Sequence, residues 1–562
     1  MEEPKQEKTS PEAVAGSTRR DLFRFGNVLA LPALMSAFEA DAAPAPGPLT
    51  AGPGMEIYRS IGVEPVINCR GTFTIIGASV ELPQVRAAME AACKYNVQMD
   101  ELAEAVGRRL AELTGAEWGM VSAGCAAGLK HVTSACIAGG NPEKLIRIPD
   151  LTGFDKTEVV IPRTSRSVYD HAIRNIGVRV VMVETAEEMQ NALNARTAMI
   201  YLSAGGPSTS GPLALENVAK MAQPRNIPIL VDAAAEILTI PNVHLQKGAT
   251  VVAYSGGKAI RGPQCAGLLL GRKDILMSAW QASSPHHGPG RDNKVGREET
   301  IGMLAAVEAW TKRDHEAEWK SWLTWLDTIG KRVSTIDGVK AAVREPQGLS
   351  NRSPSLSISW DPAKLHVTGE EIAEELATTK PRIAIGSGGG GGRGRGGEAA
   401  DANSTSISIT AWMMNPDDVN TVADRLHAVL SQKRTPPATA SAAPAGNLSG
   451  RWDLVVDFFS SKSNHTLFLT QDGNRLQGSH QGDFSTRDVA GTIEGNQIKL
   501  RSQFSAPGDS VGFIFAGVLS GDTISGPIYM GEYLNAKFTA KRHTYPAGQA
   551  NIRIPNGPPL AN

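Results

Sequence analysis

Short apolar runs rich in β-branched residues alternate with amphipathic stretches through residues 55–310. Residues 158–161, 178–183, 198–202, 227–231 and 250–254 each read as a strand, and the segments between them are long enough to cross over as helices. This alternation predicts an α/β domain with a mainly parallel sheet covered by helices. Residues 311–432 read as a smaller α+β domain, with strands expected near 355–360 and 404–410 and a closing helix at 416–430. Between those strands runs a glycine-rich stretch, 386–397, interrupted by Arg393 and Arg395; it has nothing to bury, so a mobile loop is expected, either a solvated tip or an anion-binding lid. Residues 433–446, rich in Pro, Ala, Ser and Thr, read as a linker. In residues 447–545 the period drops to two, with turn signals at Asp472-Gly473, Glu494-Gly495-Asn496 and Gly521-Asp522, which predicts an antiparallel β-barrel or sandwich. The final residues, 546–562, are expected to be disordered.

The N-terminal residues follow none of these patterns. Thr18-Arg19-Arg20-Asp21-Leu22-Phe23-Arg24 precedes an apolar stretch at 25–38 and small residues at Ala40-Asp41-Ala42-Ala43. Paired arginines, a modest apolar core and an A-x-A site resemble a twin-arginine signal, so residues 1–43 are read as an address recognised by the twin-arginine translocation machinery. The apolar stretch falls short of the ~20 residues that span a bilayer, so no stable membrane anchor is expected after cleavage. The implied location is outside the cytoplasm, in the periplasm. Because that route carries folded proteins, a cofactor loaded in the cytoplasm would travel with the chain.

Composition narrows the functional classes. With 56 Lys plus Arg against 57 Asp plus Glu, the chain has no global positive field to gather nucleic acid, and no nucleic-acid partner is expected. The five cysteines, Cys69, Cys93, Cys125, Cys136 and Cys265, show no C-x-x-C pair and no zinc spacing, so no metal site is expected and the thiols read as buried small hydrophobes.

Three features carry chemistry. Ile229-Leu230-Val231-Asp232 is an apolar strand ending in a carboxyl, and Ser255-Gly256-Gly257-Lys258 follows about 26 residues after Asp232. Pyridoxal 5'-phosphate (PLP) needs this pair: a buried acid keeps the pyridine nitrogen protonated, and a lysine amine condenses with the cofactor aldehyde. The third feature is Ser122-Ala123-Gly124-Cys125-Ala126-Ala127-Gly128, whose small residues lie between a short strand and an apolar helix, where backbone N–H groups can hold a phosphate. Ser255 adds a hydroxyl. Each feature alone has an ordinary structural reading; their order and separation within an α/β chain make the reading specific.

The stretch from residue 57 to about 430 resembles the selenocysteine-synthase-like group of fold-type-I PLP enzymes, which includes D-glucosaminate-6-phosphate ammonia-lyase-like members. The matching pieces are Val66-Ile67-Asn68-Cys69-Arg70-Gly71-Thr72, Leu113-Thr114-Gly115-Ala116-Glu117, Val231-Asp232-Ala233-Ala234, Ser255-Gly256-Gly257-Lys258, Gly262-Pro263-Gln264 and Lys294-Val295-Gly296-Arg297-Glu298-Glu299. The resemblance implies Lys258 as the Schiff-base lysine, Asp232 as the ring-nitrogen partner and Ala234 as a contact on the ring face. It also implies Gly124, Cys125, Ala126 and Ser255 as phosphate contacts, and a homo-oligomer. His171, in Tyr169-Asp170-His171, is the candidate for stacking on the ring. Arg70, Gln264, His286 and Arg291 are candidates for substrate contact, the last two in a Pro/Gly-rich loop. Gly257 and Arg382 depart from the family pattern. The Gly450-Arg451-Trp452 opening of the β-domain resembles that of lipocalins, and no chemistry is assigned to that domain.

The expected reaction is elimination or β-replacement on an amino acid or amino-sugar acid, since the resemblance points to relatives with that chemistry and PLP stabilises a carbanion at the α-carbon. Two alternatives stand beside it. One is an L-seryl-tRNA selenium-transferase-like enzyme, disfavoured by export and by the neutral charge balance. The other is an exported, non-catalytic ligand-binding protein on the same scaffold.

Overall fold

The computed structural model describes residues 54–388, 404–436 and 442–545. The signal-like segment, all but the first residues of the glycine run, part of the linker and the tail lie outside the described residues.

Strand β1 (Val66–Asn68) pairs in parallel with Arg382–Ala384, which ties the start of the chain to the smaller domain. The large domain is organised on seven strands: β2 (Trp118–Ser122), β3 (Glu158–Pro162), β4 (Arg179–Val183), β5 (Thr197–Ser203), β6 (Ile229–Asp232), β7 (Val251–Ser255) and β8 (Gly267–Gly271). Their order is β2-β8-β7-β6-β5-β3-β4, and every neighbouring pair is parallel except those of β8, which runs antiparallel to both β2 and β7. Helices cover both faces, so the central strands are buried throughout and read as continuous apolar runs. Ile200 and Leu202 enter one core while Met199 and Tyr201 enter the other, as the two-residue period of a strand requires. The helix Arg297–Lys312 belongs to the first core, and the chain then turns into His315–Val333, the opening helix of the smaller domain.

That domain is a four-stranded antiparallel sheet of Gly386–Gly388, Thr405–Thr410, Ser355–Trp360 and Lys340–Arg344, in that spatial order, backed by helices that include Asp418–Leu430. The glycine run therefore does not begin as a loop: its first three residues pair with Ser406–Ser408 as an edge strand, where glycine loses nothing by lacking a side chain to pack. Cys69 is fully buried in this domain's core. All five cysteines are free, and they are not uniformly buried: Cys93 and Cys265 are exposed, because one caps a helix end and the other lies in the turn after the Gly262-Pro263-Gln264 triplet.

The C-terminal domain is a closed, eight-stranded, up-and-down antiparallel barrel from Gly450 to Arg542, its first strand pairing with its last. Its core is packed around Trp452, Phe515 and Phe538, and the indole of Trp452 donates to the Leu448 carbonyl at 2.9 Å. Within that core lies a polar chain that the sequence reading did not single out. His465 Nδ1 meets His480 Nε2 at 2.9 Å, His480 Nδ1 meets the Ser502 hydroxyl at 2.9 Å, and His465 Nε2 lies 3.5 Å from Asp483. The signal was parity: His465 shares its inward phase with Leu467 and Leu469.

Two facing ring nitrogens can share only one proton, so the two rings cannot both be charged across this contact. Burial drives the pKa of His480 down to about 3, and burial also lowers that of His465. The unfolded chain takes up protons near the ordinary value of 6.5 that the folded barrel refuses. Barrel stability is therefore complete above that pH and is lost progressively as the pH falls toward 3. In histidine-labelled protein the His480 ring signal should keep its neutral position down to about pH 4.5, and a midpoint near 6.5 would contradict this packing.

Candidate active site

Strands β6 and β7 are parallel neighbours with Asp232 opposite Ala253, so Asp232 and the turn carrying Lys258 leave the sheet at the same carboxyl-terminal edge. In open α/β sheets that edge is where ligands bind. The lysine turn is held by backbone bonds: Gly256 N–H to the Ala266 carbonyl at 2.8 Å, Gly262 N–H to the Gly256 carbonyl at 2.9 Å, and Ser79 N–H to the Gly257 carbonyl at 3.1 Å. Gly257 packs on Gln264, whose Cα would lie 2.7 Å from an added Cβ, so a side chain at this position has no room.

Three donors converge on Asp232. The Tyr201 phenol donates to Oδ2 at 2.9 Å, the Ala234 N–H to Oδ1 at 3.1 Å, and the Cys125 thiol approaches Oδ1 at 3.5 Å. Burial, reinforced by Asp232, pushes both the Cys125 thiol and the Tyr201 phenol well above their ordinary pKa values, so both keep the protons they donate. Lys258 opposes that rise at Cys125.

Cys125 also opens the helix Cys125–Ala138, with Gly124 at its N-cap in a left-handed conformation (φ +85°). The first-turn N–H groups of Cys125, Ala126 and Ala127 have no acceptor within the helix, so they offer an anion a ready cradle. Ser122 is spent locally, its hydroxyl donating to the Gly124 carbonyl at 2.8 Å.

Residues 63–304 match the Cys/Met metabolism PLP-dependent enzyme family. The chain is 30% identical over 301 residues to the D-glucosaminate-6-phosphate ammonia lyase of Salmonella typhimurium, covering 52% of this chain and 79% of that one. This chain belongs to the PLP-dependent ammonia-lyase-like family. It is also 30% identical over 339 residues to a 5'-C-glycyluridine monooxygenase-decarboxylase of a Streptomyces species, covering 58% of this chain and 83% of the relative. With the L-seryl-tRNA(Sec) selenium transferase of Proteus mirabilis the identity is 26%, over 45% of this chain and 57% of that one. The solved structure of D-glucosaminate-6-phosphate ammonia-lyase superposes with a TM-score of 0.58 at 24% identity, covering 67% of this chain and 98% of that one, which places the first two domains in the fold-type-I class.

The site of this PLP enzyme fits its cofactor: the helix cradle suits a phosphate, Asp232 a pyridine nitrogen and Lys258 an aldehyde. The fold brings together Lys258, Asp232, Ala234, Ser255, Gly124, Cys125 and Ala126, with the Ser255 N–H 3.4 Å from the Ala234 carbonyl. Arg70 stands in a loop tied by Asn68, whose side-chain carbonyl accepts from the N–H groups of Arg70 and Gly71 at 3.0 Å each. Its guanidinium stacks on Phe73 at 3.9 Å, its Nη1 is buried without a partner, and burial lowers its pKa to about 10. An unpaired buried donor of this kind is costly and suits an incoming anion.

Other candidates are engaged elsewhere. His286 faces Asp100 at 3.0 Å and the Trp280 carbonyl at 3.1 Å, lining a separate cavity, because its loop folds back on the helix Lys273–Gln281. Arg291 donates to the Ser284 hydroxyl at 3.2 Å, and Gln264 is exposed. In Tyr169-Asp170-His171, Tyr169 is 57% exposed, and partial burial raises its pKa, with Asp232, Glu532 and Cys125 adding to the rise. Asp170 is fully buried, and His171 is exposed at the start of the helix His171–Arg174. Tyr201 and Tyr169 were not among the sequence candidates. A lone phenol in the otherwise apolar strand beside that of Asp232 was the available sign of Tyr201.

Gly267 sets how close β8 comes to the cradle, since an added Cβ would lie 2.5 Å from the Gly124 carbonyl carbon and 2.7 Å from the Cys125 nitrogen. Gly267→Ala is expected to shift the helix start and weaken PLP affinity by about tenfold with the fold retained. Titration of the visible cofactor band measures this, and an unchanged affinity would contradict the assignment of the cradle.

Proposed function

We propose that this chain is an exported PLP-dependent lyase that acts on an amino acid or amino-sugar acid by elimination or β-replacement and works as a homo-oligomer. The observation that carries the chemical part is that Asp232 and the turn carrying Lys258 leave the sheet at one edge, where the Cys125 thiol at the start of its helix lies 3.5 Å from Asp232. When bound, PLP supplies an electron sink for a carbanion at the substrate α-carbon. Asp232, held by Tyr201 and the Ala234 N–H, keeps a proton on the pyridine nitrogen. Lys258 Nζ would take the α-proton and pass it to the departing β-group, leaving an enamino acid that tautomerises and is hydrolysed by water to ammonia and a 2-oxo acid, and Arg70 would offer its spare N–H to an anionic group of the substrate. The named activity of the Salmonella relative supports ammonia release as the outcome.

Purified holoenzyme incubated with a panel of amino acids and with D-glucosaminate, free and 6-phosphorylated, is expected to release ammonia and a 2-oxo acid from at least one of them. Lys258→Ala should abolish that release. Silence across the panel would overturn the lyase reading.

A second reading rests on the Streptomyces relative, which is named as a monooxygenase-decarboxylase and matches at the same identity with wider coverage. Consumption of dioxygen and release of carbon dioxide in the same incubations would favour it.

Export is supported by the order of features at the N-terminus: Arg19-Arg20, an apolar stretch, then Ala40-Asp41-Ala42-Ala43. Replacing Arg19 and Arg20 together by Lys should leave the protein in the cytoplasm, as read by cell fractionation. Equal periplasmic yield from the Lys pair would contradict the twin-arginine reading.

A further inference from the structure

The barrel touches the large domain next to the site. Its fifth and sixth strands, Gln497–Ala506 and Asp509–Ser520, are joined by Pro507-Gly508, a two-residue turn in which Gly508 takes φ +86°. A Cβ built on Gly508 would lie 3.0 Å from Asp170 Oδ2, 3.1 Å from Arg166 Nη2 and 3.2 Å from the Ser167 carbonyl. Glycine therefore lets the turn rest directly on this segment. Beside it, Asp509 pairs with Arg174 at 3.3 Å.

The seated segment is a compact ionic knot. Asp170 has no exposed side-chain surface; it accepts from Arg166, from Arg174 at 2.9 Å and from the Ser167 N–H at 3.3 Å. A buried carboxylate with two guanidinium partners is held strongly only while water is kept out, and the Gly508 turn lies over it. The knot is tied in turn to the end of β5. The Ser165 hydroxyl accepts from the Ser203 N–H at 3.1 Å, and Ser203 stands opposite Asp232 in the sheet. Ser203 lies two residues beyond Tyr201 on the same strand, and the Tyr201 phenol donates to Asp232 at 2.9 Å.

We propose that the Pro507-Gly508 hairpin of the barrel is a positioning element of the cofactor site, acting through the Asp170 knot, Ser165 and the end of β5 that carries Tyr201 on Asp232. Asp509 and Gly508 touch neither cofactor nor substrate; they hold the residues that do. The barrel is then part of the working enzyme rather than an appended binding module. The inference rests on the PLP site alone and not on which reaction that site performs.

The test is a double-mutant cycle in the full-length protein, read as the dissociation constant of PLP from its visible band. Asp509→Asn should weaken PLP about fivefold and Gly508→Val by more, while Asp509→Glu should restore most of the affinity. In a Tyr201→Phe background, where the link to Asp232 is cut, Asp509→Asn and Gly508→Val should add little. That non-additivity is what a merely structural contact would not produce. The proposal is overturned if neither variant changes PLP affinity, or if their effects multiply undiminished with that of Tyr201→Phe. Because the readout is cofactor affinity, it is independent of the substrate panel.

Discussion

The structure is arranged around one carboxyl group, Asp232, held at the open end of β6 by a phenol, a backbone N–H and a thiol. Such a group has to be buried to keep a pyridine nitrogen protonated, and burial is tolerable only when every lone pair finds a donor. That requirement accounts for features that otherwise look incidental. A tyrosine interrupts an apolar strand, a cysteine opens the cofactor helix, and the Asp232 chain turns so that the Ala234 N–H points back at the carboxyl. The antiparallel strand β8 brings glycine, not a larger residue, against the helix start, so the phosphate cradle and the acid end up within one molecule's length of each other.

Much of this was legible in the sequence because it is written in local patterns. Six of the seven strands of the large sheet announce themselves as short apolar runs, and Asp232 and Lys258 stand at the ends of two of them. β8 was missed because Gly267-Leu268-Leu269-Leu270-Gly271 has glycine at both ends, a composition that reads as a loop until its close packing against Gly124 is seen. The barrel was recognisable from its alternation, but its polar chain was not, since His465, His480 and Ser502 come from three different strands and meet only when the sheet closes.

The substrate candidates show where local reading stops. Arg70 keeps a buried nitrogen free for a ligand, whereas His286, in a loop with the right composition, is drawn to Asp100 by a contact between residues far apart in the chain. The fully buried Asp170 anchors the turn that carries His171, and His171 itself is left exposed. The anchor itself is covered by the Pro507-Gly508 turn of the C-terminal barrel.

The most direct test of the central arrangement is to reduce the holoenzyme with borohydride, digest it and map the pyridoxyl group by mass spectrometry. The group should be found on Lys258 and lost in an otherwise folded Lys258→Ala protein. Labelling of a different lysine, or no labelling of a protein saturated with the cofactor, would contradict the site built on Asp232 and Lys258.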